Sequence, residues 1–97
     1  MKIKVVRVHL MESEHHLNKA LKVLHNDVKI QHVTVFRGIE GFEKGGTVHT
    51  SEFLSLSLNL PLVIEFFDTP EKAEEAAKKI KEVMGEGHLY SFNAELE

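Results

Sequence analysis

The segment at residues 62–67, Leu-Val-Ile-Glu-Phe-Phe, constrains the fold of this chain more than any other feature. It is apolar at every position except Glu65. A β-strand with one face in water alternates apolar and polar residues, whereas a strand covered on both faces is almost continuously apolar. The segment therefore predicts a strand inside a sheet that is covered on both faces. Alternation places Leu62, Ile64 and Phe66 on one face and Val63 and Phe67 on the other. The sequence leaves open which set packs on helices.

Five further segments surround this strand. Their hydrophobic periods predict strands at residues 2–10, 31–39 and 88–94 and helices at residues 14–26 and 70–84. Ser13 is the expected N-cap of the first helix, and Pro70 and Gly85 mark the two ends of the second. The order β-α-β-β-α-β predicts one α+β domain over residues 1–97 with a ferredoxin-like fold, in which one antiparallel sheet carries both helices on one face.

Two helices on one face leave the other face of the sheet uncovered within the chain. Because segment 62–67 is apolar on both sides, we expect a neighbouring molecule to cover that face. Most soluble oligomers are homo-oligomers, so the expected partner is another copy of the chain.

The connection before the central strand has two parts. Residues 41–50 form a polar, glycine-rich turn, and residues 53–60 alternate leucine with serine or asparagine. Strict period-two alternation predicts an additional amphipathic strand there. Pro61 should begin the next strand, since proline cannot donate a hydrogen bond inside a sheet.

Charge and composition exclude several classes of function. The 12 lysines and arginines are outnumbered by 15 aspartates and glutamates, and no basic arm is present, so nucleic-acid binding is not expected. The absence of cysteine removes disulfides, thiolate nucleophiles and Cys-based zinc sites. No acid–base pair or nucleophile motif stands at a readable spacing, which predicts a protein that is not an enzyme. Without a signal peptide or an apolar span, a cytoplasmic location is expected.

The glycine-rich turn is the strongest candidate for a ligand site. Glycines allow successive backbone N–H groups to converge on an anion. Charged and polar side chains in the same stretch add donors: Arg37, Lys44, His49 and Thr50. The alternative is a surface loop whose glycines only turn the chain, and the sequence alone does not separate the two.

Arg37 also has a structural alternative. Arg37 and Glu65 are charges in two otherwise apolar strands that neighbour one another in this fold. They could form an ion pair instead of contacting a ligand.

Seven histidines raise the possibility of a metal site. Adjacent His15 and His16 would point about 100° apart on a helix and do not easily hold one ion. No His-Glu-x-x-His spacing occurs, so solvated or capping histidines are the simpler interpretation and no metal ligand is predicted.

Three stretches of the sequence carry a family resemblance: Thr-Val-Phe-Arg-Gly-Ile-Glu-Gly-Phe at residues 34–42, His49-Thr50, and Leu-Pro-Leu-Val-Ile-Glu at residues 60–65 with Asp68. In these stretches the sequence resembles the PII-like branch catalogued as a domain of unknown function. The resemblance extends to the nitrogen-regulatory PII proteins, whose glycine-rich loop before the last strand is similar to Gly-Glu-Gly-His at residues 85–88.

This resemblance implies a homotrimer that needs no cofactor, binds an adenine nucleotide such as AMP or ADP in clefts between subunits, and signals by moving a loop. Glu86 and His88 stand where PII proteins have basic phosphate ligands, which favours a monophosphate or diphosphate. The implied ligand-binding residues are Arg37, Gly38, Gly41, Phe42, Lys44, Gly45, Gly46, His49 and Thr50, with Gly85, Gly87 and His88 of an adjacent subunit. Phe36 or Phe42 would stack on the base.

Two further expectations follow from the resemblance. The short loop argues against an ammonium transporter as partner. An unidentified protein or another membrane transporter is the further candidate partner. The alternative function is a divalent-metal-binding trimer similar to the cation-tolerance proteins, which share the fold.

Overall fold

The computed structural model describes residues 1–41 and 60–97 and the backbone of residues 49–50. Its elements in chain order are β1 (Lys2–Met11), a 3-10 turn (Glu12–Glu14), α1 (Leu17–Lys22), a π-helical turn (Val23–Asp27), β2 (His32–Arg37), β3 (Glu40–Gly41), β4 (His49–Thr50), β5 (Pro61–Asp68), α2 (Pro70–Met84) and β6 (Leu89–Glu95). No helix in these described ranges is long and apolar enough to cross a membrane.

The main sheet has the strand order β2-β5-β1-β6, and each neighbouring pair is antiparallel. This order confirms the predicted ferredoxin-like fold. β3 and β4 form a separate two-stranded ribbon at the base of the connection between β2 and β5. The ends of β1 and β2 and the start of β5 lie at one end of the main sheet, because Met11 is opposite Pro61 and Arg37 is opposite Leu62.

The core lies between the sheet and the two helices. Leu62, Ile64 and Phe66 of β5 are at most 5% exposed and belong to the same buried cluster as Ala76 and Ile80 of α2. These three side chains therefore face the helices, which settles the alternative that the sequence left open. Val63, Glu65 and Phe67 project to the other side of the sheet, and we call that side the open face.

The predicted start of the first helix is wrong. Glu12–Glu14 forms a 3-10 turn, His15 adopts a left-handed conformation with φ 60°, and His16 stands at the N-cap of α1. The Glu14 carboxylate accepts the Met11 N–H at 2.6 Å. The Glu14 side chain therefore closes the turn that follows β1. Because α1 starts only after His16, Ser13 is not its N-cap.

The second helix follows its prediction. Thr69 is the N-cap and accepts the Lys72 N–H at 3.4 Å, Pro70 opens the helix, and Gly85 ends it with φ 83°. Each end is thus specified by local chemistry: a hydroxyl acceptor and a pre-set φ at the start, and a left-handed glycine at the end.

β2 ends earlier than the predicted residue 39. The Gly38 N–H donates to the Pro61 carbonyl at 2.7 Å, the strand pattern stops, and Ile39 is 76% exposed. Pro61 begins β5 as predicted. Leu60 is buried but belongs to no strand, and the rest of the predicted amphipathic strand, residues 53–59, lies outside the described residues.

Candidate functional site

A cavity of about 320 Å³ lies at the end of the sheet where β2 leaves it and β5 enters it. Its lining includes Phe36, Arg37, Gly38, Gly41, Pro61 and Val63. Three of the predicted site residues, Arg37, Gly38 and Gly41, are therefore brought together around one space. Phe36, which was predicted to stack on a base, lines the same space.

Gly38 and Gly41 both pack closely against the ring of Pro61, which leaves no room for a side chain at either position. A Cβ at Gly38 would lie 2.7 Å from Cγ of Pro61, and a Cβ at Gly41 would lie 3.0 Å from the same atom. The proline ring is rigid, so neither contact can be relieved by rotating a side chain. The Gly38 N–H is already bonded to Pro61, which leaves Gly38 to shape the cavity and not to donate to a ligand.

Arg37 pairs with Glu12 and not with Glu65. Its Nη2 and Nε lie 2.9 and 3.0 Å from Glu12 Oε1. The alternative pairing fails because Arg37 is opposite Leu62 in the register. Directly opposed residues share a face, so Arg37 lies on the helix side of the sheet and Glu65 on the open face. Glu65 instead accepts from Arg7 Nε at 2.7 Å.

Glu12 is held by more than its arginine. Its Oε1 also accepts the Leu60 N–H at 3.0 Å, and the Glu12 N–H donates to the Leu60 carbonyl at 3.0 Å. Burial disfavours the charged carboxylate, but the hydrogen bonds from Arg37 and Leu60 outweigh it and hold the pKa of Glu12 below its usual range. Glu12 is therefore a fixed, ionised partner of Arg37, and Arg37 in turn lines the cavity.

Sequence reasoning missed Glu12 at this site. It lies 25 residues before Arg37 and 48 before Leu60, and no local pattern connects these positions. The available signal was a carboxylate directly after a predicted strand. Such a residue belongs to the same sheet end as the start of the neighbouring antiparallel strand.

The predicted residues between β3 and β4 cannot be placed. Phe42, Lys44, Gly45 and Gly46 lie outside the described residues. The backbones of His49 and Thr50 form β4, with His49 opposite Gly41 and Thr50 opposite Glu40. The ribbon thus brings the backbones of His49 and Thr50 beside Gly41 in the cavity wall. The side chains of these two residues are not among the described parts of the structure.

The loop before β6 lies at the same end of the sheet. The His88 carbonyl accepts the His9 N–H at 2.7 Å, and Gly85 and Gly87 have φ of 83° and 91° with open space at their Cβ positions. Within one chain, β1 and β5 lie between this loop and β2. A single chain therefore does not bring Gly85, Gly87 and His88 to Arg37, and their meeting across subunits stays a prediction.

The open face carries exposed aromatic side chains. Phe36, Tyr90 and Phe92 are 52%, 49% and 41% exposed. Arg7 lies 5.1 Å from the ring centroid of Phe92, and the His9 ring stacks on Tyr90 at 5.4 Å. Aromatic rings grouped on a sheet face are typical of surfaces that contact another molecule. Among the residues with described side chains, no three histidines, aspartates or glutamates are grouped to hold a metal ion.

Solved structures with a similar fold include members of two groups of proteins. One is CPII, a nitrogen regulatory PII-like protein from Thiomonas intermedia K12 bound to ADP, AMP and bicarbonate, with TM-score 0.73 and 13% identity over 99% of this chain and 89% of that one. CPII bound to ADP and bicarbonate gives 0.71, with the same identity and coverage. The divalent ion tolerance protein CutA1 from Ehrlichia chaffeensis gives 0.61, with 12% identity over 97% and 80% of the two chains. At this identity the likeness shows the fold.

A family model supplies the assignment that the folds alone do not. It matches residues 3–96 and is described as "Uncharacterized ACR, COG1993". The match covers nearly all of the described sheet and both helices. It also agrees with the resemblance to a PII-like domain of unknown function. The chain therefore belongs to the DUF190 family and has a PII-like fold.

Proposed function

We propose that this protein is a PII-like regulatory binding protein that senses a small anionic ligand, an adenine nucleotide such as AMP or ADP. The observation that carries the proposal is Arg37 in the lining of a cavity of about 320 Å³, with its side chain 52% exposed. An accessible guanidinium can donate two parallel hydrogen bonds to a phosphate. The phosphate would lie between Arg37 and the β3–β4 ribbon, where the Gly41 backbone lines the cavity.

The cavity also has a surface for a base. Phe36 is 52% exposed and lies beside Val63, on the open-face side of the cavity. An aromatic ring offers stacking to a nucleobase, which tolerates imprecise geometry. CPII, which has the same fold, is described as bound to ADP and AMP, and that supports the choice of an adenine nucleotide.

The proposal includes a homotrimer. The exposed rings of Tyr90 and Phe92 lie on the open face, which the two helices do not cover. Association through this face would bury them and bring Gly85, Gly87 and His88 of one subunit to the Arg37 cavity of the next. A nucleotide would then be held between subunits and report on both.

The second candidate is a divalent-metal-binding trimer. It is favoured by the likeness to CutA1, described as a divalent ion tolerance protein. Two histidines of the open face, His9 and His32, would be the first ligands to examine, because an oligomer would bring copies of each together. Each lies against an aromatic ring, His32 on Phe67 at 4.4 Å and His9 on Tyr90.

The test is a titration of purified protein with AMP, ADP, adenosine and divalent metals by isothermal calorimetry, with light scattering to measure the assembly. Three copies of the 11.0 kDa chain give about 33 kDa. We expect that mass and saturable binding of AMP or ADP. A monomer at micromolar concentration contradicts the trimer, and absence of nucleotide binding at millimolar concentration contradicts the site. Stoichiometric metal binding without nucleotide binding selects the second candidate.

A further inference from the structure

Glu12 occupies two of the five N–H donors with which Arg37 could bind a ligand. Both Nε and Nη2 of Arg37 point to Glu12 Oε1, at 3.0 and 2.9 Å. Both atoms carry N–H donors of the kind that a phosphate accepts from. A ligand phosphate and the Glu12 carboxylate are both anions, so the two cannot share these donors without repelling each other.

Glu12 is not a freely moving surface carboxylate. Its side chain is 25% exposed, its Oε1 accepts the Leu60 N–H, and its own N–H is bonded to the Leu60 carbonyl. Leu60 is in turn 2% exposed, so the group that holds Glu12 is itself anchored in the core. The entropy cost that weakens most surface ion pairs is therefore largely absent here.

We propose that Glu12 is an internal competitor for Arg37, a positioning residue that sets how strongly the site binds an anionic ligand and how much charge that ligand must carry. This inference rests on the proposed function of the Arg37 cavity. Without ligand, Glu12 holds the Arg37 side chain through its Nε and Nη2 groups. A ligand phosphate takes over the guanidinium donors, and Glu12 keeps its bonds to Leu60.

The competition selects for charge. Displacing a carboxylate requires an anion that interacts more strongly with the guanidinium than Glu12 does, and Coulomb energy scales with ligand charge. A phosphate monoester carries between one and two negative charges near neutral pH. A monoanion of carboxylate type gains little by replacing another carboxylate. Glu12 thereby favours a phosphate monoester or diphosphate over carboxylate ligands at the same cavity.

The experiment compares Glu12→Gln with the wild type. Glutamine keeps the side-chain length and an oxygen that can accept from Leu60, and it removes the charge that competes for Arg37. Glu14→Gln is the matched control, because it removes one negative charge two residues away in the same turn and Glu14 contacts the Met11 N–H instead of Arg37. Calorimetric titrations with AMP and with adenosine are made on all three proteins.

We expect Glu12→Gln to bind AMP about fivefold more tightly than the wild type, corresponding to the upper range of about 1 kcal/mol for exposed ion pairs. Glu14→Gln should bind AMP with nearly wild-type affinity. Adenosine has no phosphate, so its affinity should be the same in all three proteins. A stability change alone cannot produce this difference between the two ligands.

Two results overturn the inference while leaving the proposed function intact: AMP binding by the wild type with unchanged or weaker binding by Glu12→Gln, or an equal gain in Glu14→Gln. Failure of every protein to bind AMP at millimolar concentration overturns the proposed function together with the inference. If Glu12→Gln does not fold, the Arg37 Nε–H resonance of the ¹⁵N-labelled wild type is followed during AMP titration. A shift during saturation supports the exchange of partners, and an unmoved resonance overturns it.

Discussion

Asp68 and Glu12 are two carboxylates at opposite ends of β5, and they differ in what they hold. Asp68 is 8% exposed and accepts the N–H groups of Gln31 and Thr69, at 3.0 and 2.7 Å. Glu12 is more exposed and accepts one backbone N–H and the side chain of Arg37. Asp68 links the backbone before β2 to the backbone before α2. Glu12 links the backbone at Leu60 to the side chain of Arg37, a residue that lines the cavity.

The pKa values of both carboxylates are lowered against the effect of burial. For Asp68, desolvation is outweighed by the N–H groups of Thr69 and Gln31 and by Lys72. For Glu12, the Arg37 side chain is the largest compensating group. The closest partners of Asp68 are backbone N–H groups, which cannot move away to a ligand, so this carboxylate stabilises the fold. A carboxylate whose main partner is a half-exposed side chain can yield that partner to a ligand. The comparison therefore separates a structural end of the sheet from the end at which we propose that a ligand binds.

Replacing Asp68 should give the largest effect on stability. In Asp68→Ala the N–H groups of Gln31 and Thr69 lose their buried acceptor, and we expect the free energy of unfolding to fall by about 3 kcal/mol. Urea denaturation followed by circular dichroism measures it. Glu71→Ala removes an exposed carboxylate three residues away, in the first turn of α2; it is the control and should cost less than about 0.5 kcal/mol. Equal losses of unfolding free energy in the two variants would contradict the structural role of Asp68.

Replacing Arg37 should act on binding more than on folding. We expect Arg37→Ala to lower AMP affinity about 10- to 150-fold, the equivalent of about 1.5–3 kcal/mol for a hydrogen bond to a charged group. Its unfolding free energy should fall by no more than about 1 kcal/mol, since the Glu12 pair is partly exposed. Calorimetry and urea denaturation give the two values, with Lys78→Ala as a charge control. Lowered stability at unchanged AMP affinity would make Arg37 a structural residue like Asp68.

Replacing Gly38 should test the packing between Gly38 and Pro61 at the start of β5. In Gly38→Ala the new Cβ would meet Pro61 Cγ at 2.7 Å. We expect a loss of about 1–2 kcal/mol in unfolding free energy, because the rigid ring forces a backbone shift. The double variant Gly38→Ala/Pro61→Ala should recover part of that loss in a double-mutant cycle. Additive losses would show that Gly38 is not limited by this contact.

Acid should weaken both ends of β5 in the same direction. The folded pKa values of Asp68 and Glu12 lie below their ordinary values of 3.8 and 4.5. Their contributions are therefore complete above those ordinary values and are lost as the pH falls below them through the folded values. Urea denaturation between pH 3 and 7 should show a shallower acid decline in Asp68→Asn and in Glu12→Gln than in the wild type. If the unfolding free energy of either variant depends on pH as steeply as that of the wild type, the replaced carboxylate does not contribute to acid destabilisation.

Elements with local signals were predicted well from the sequence. The apolar run at residues 62–67 marked a central strand, and Pro70 and Gly85 marked the ends of α2, because each signal involves residues within a few positions of one another. The start of α1 was predicted wrongly for the same reason. Ser13 resembles an N-cap locally, but the Glu14 carboxylate turns back to the Met11 N–H and His15 breaks the helical path.

The sequence by itself determined the order of elements, the apolar strand and the candidate cluster of Arg37 and glycines, because periodicity, capping and turn chemistry act over short distances. Only the tertiary structure decided which partner Arg37 has. Strand register places Arg37 and Glu65 on opposite faces, and the meeting of the β1 end with the β5 start places Glu12 beside Arg37. Contacts between residues 25 apart depend on how strands align, and no local pattern records that alignment.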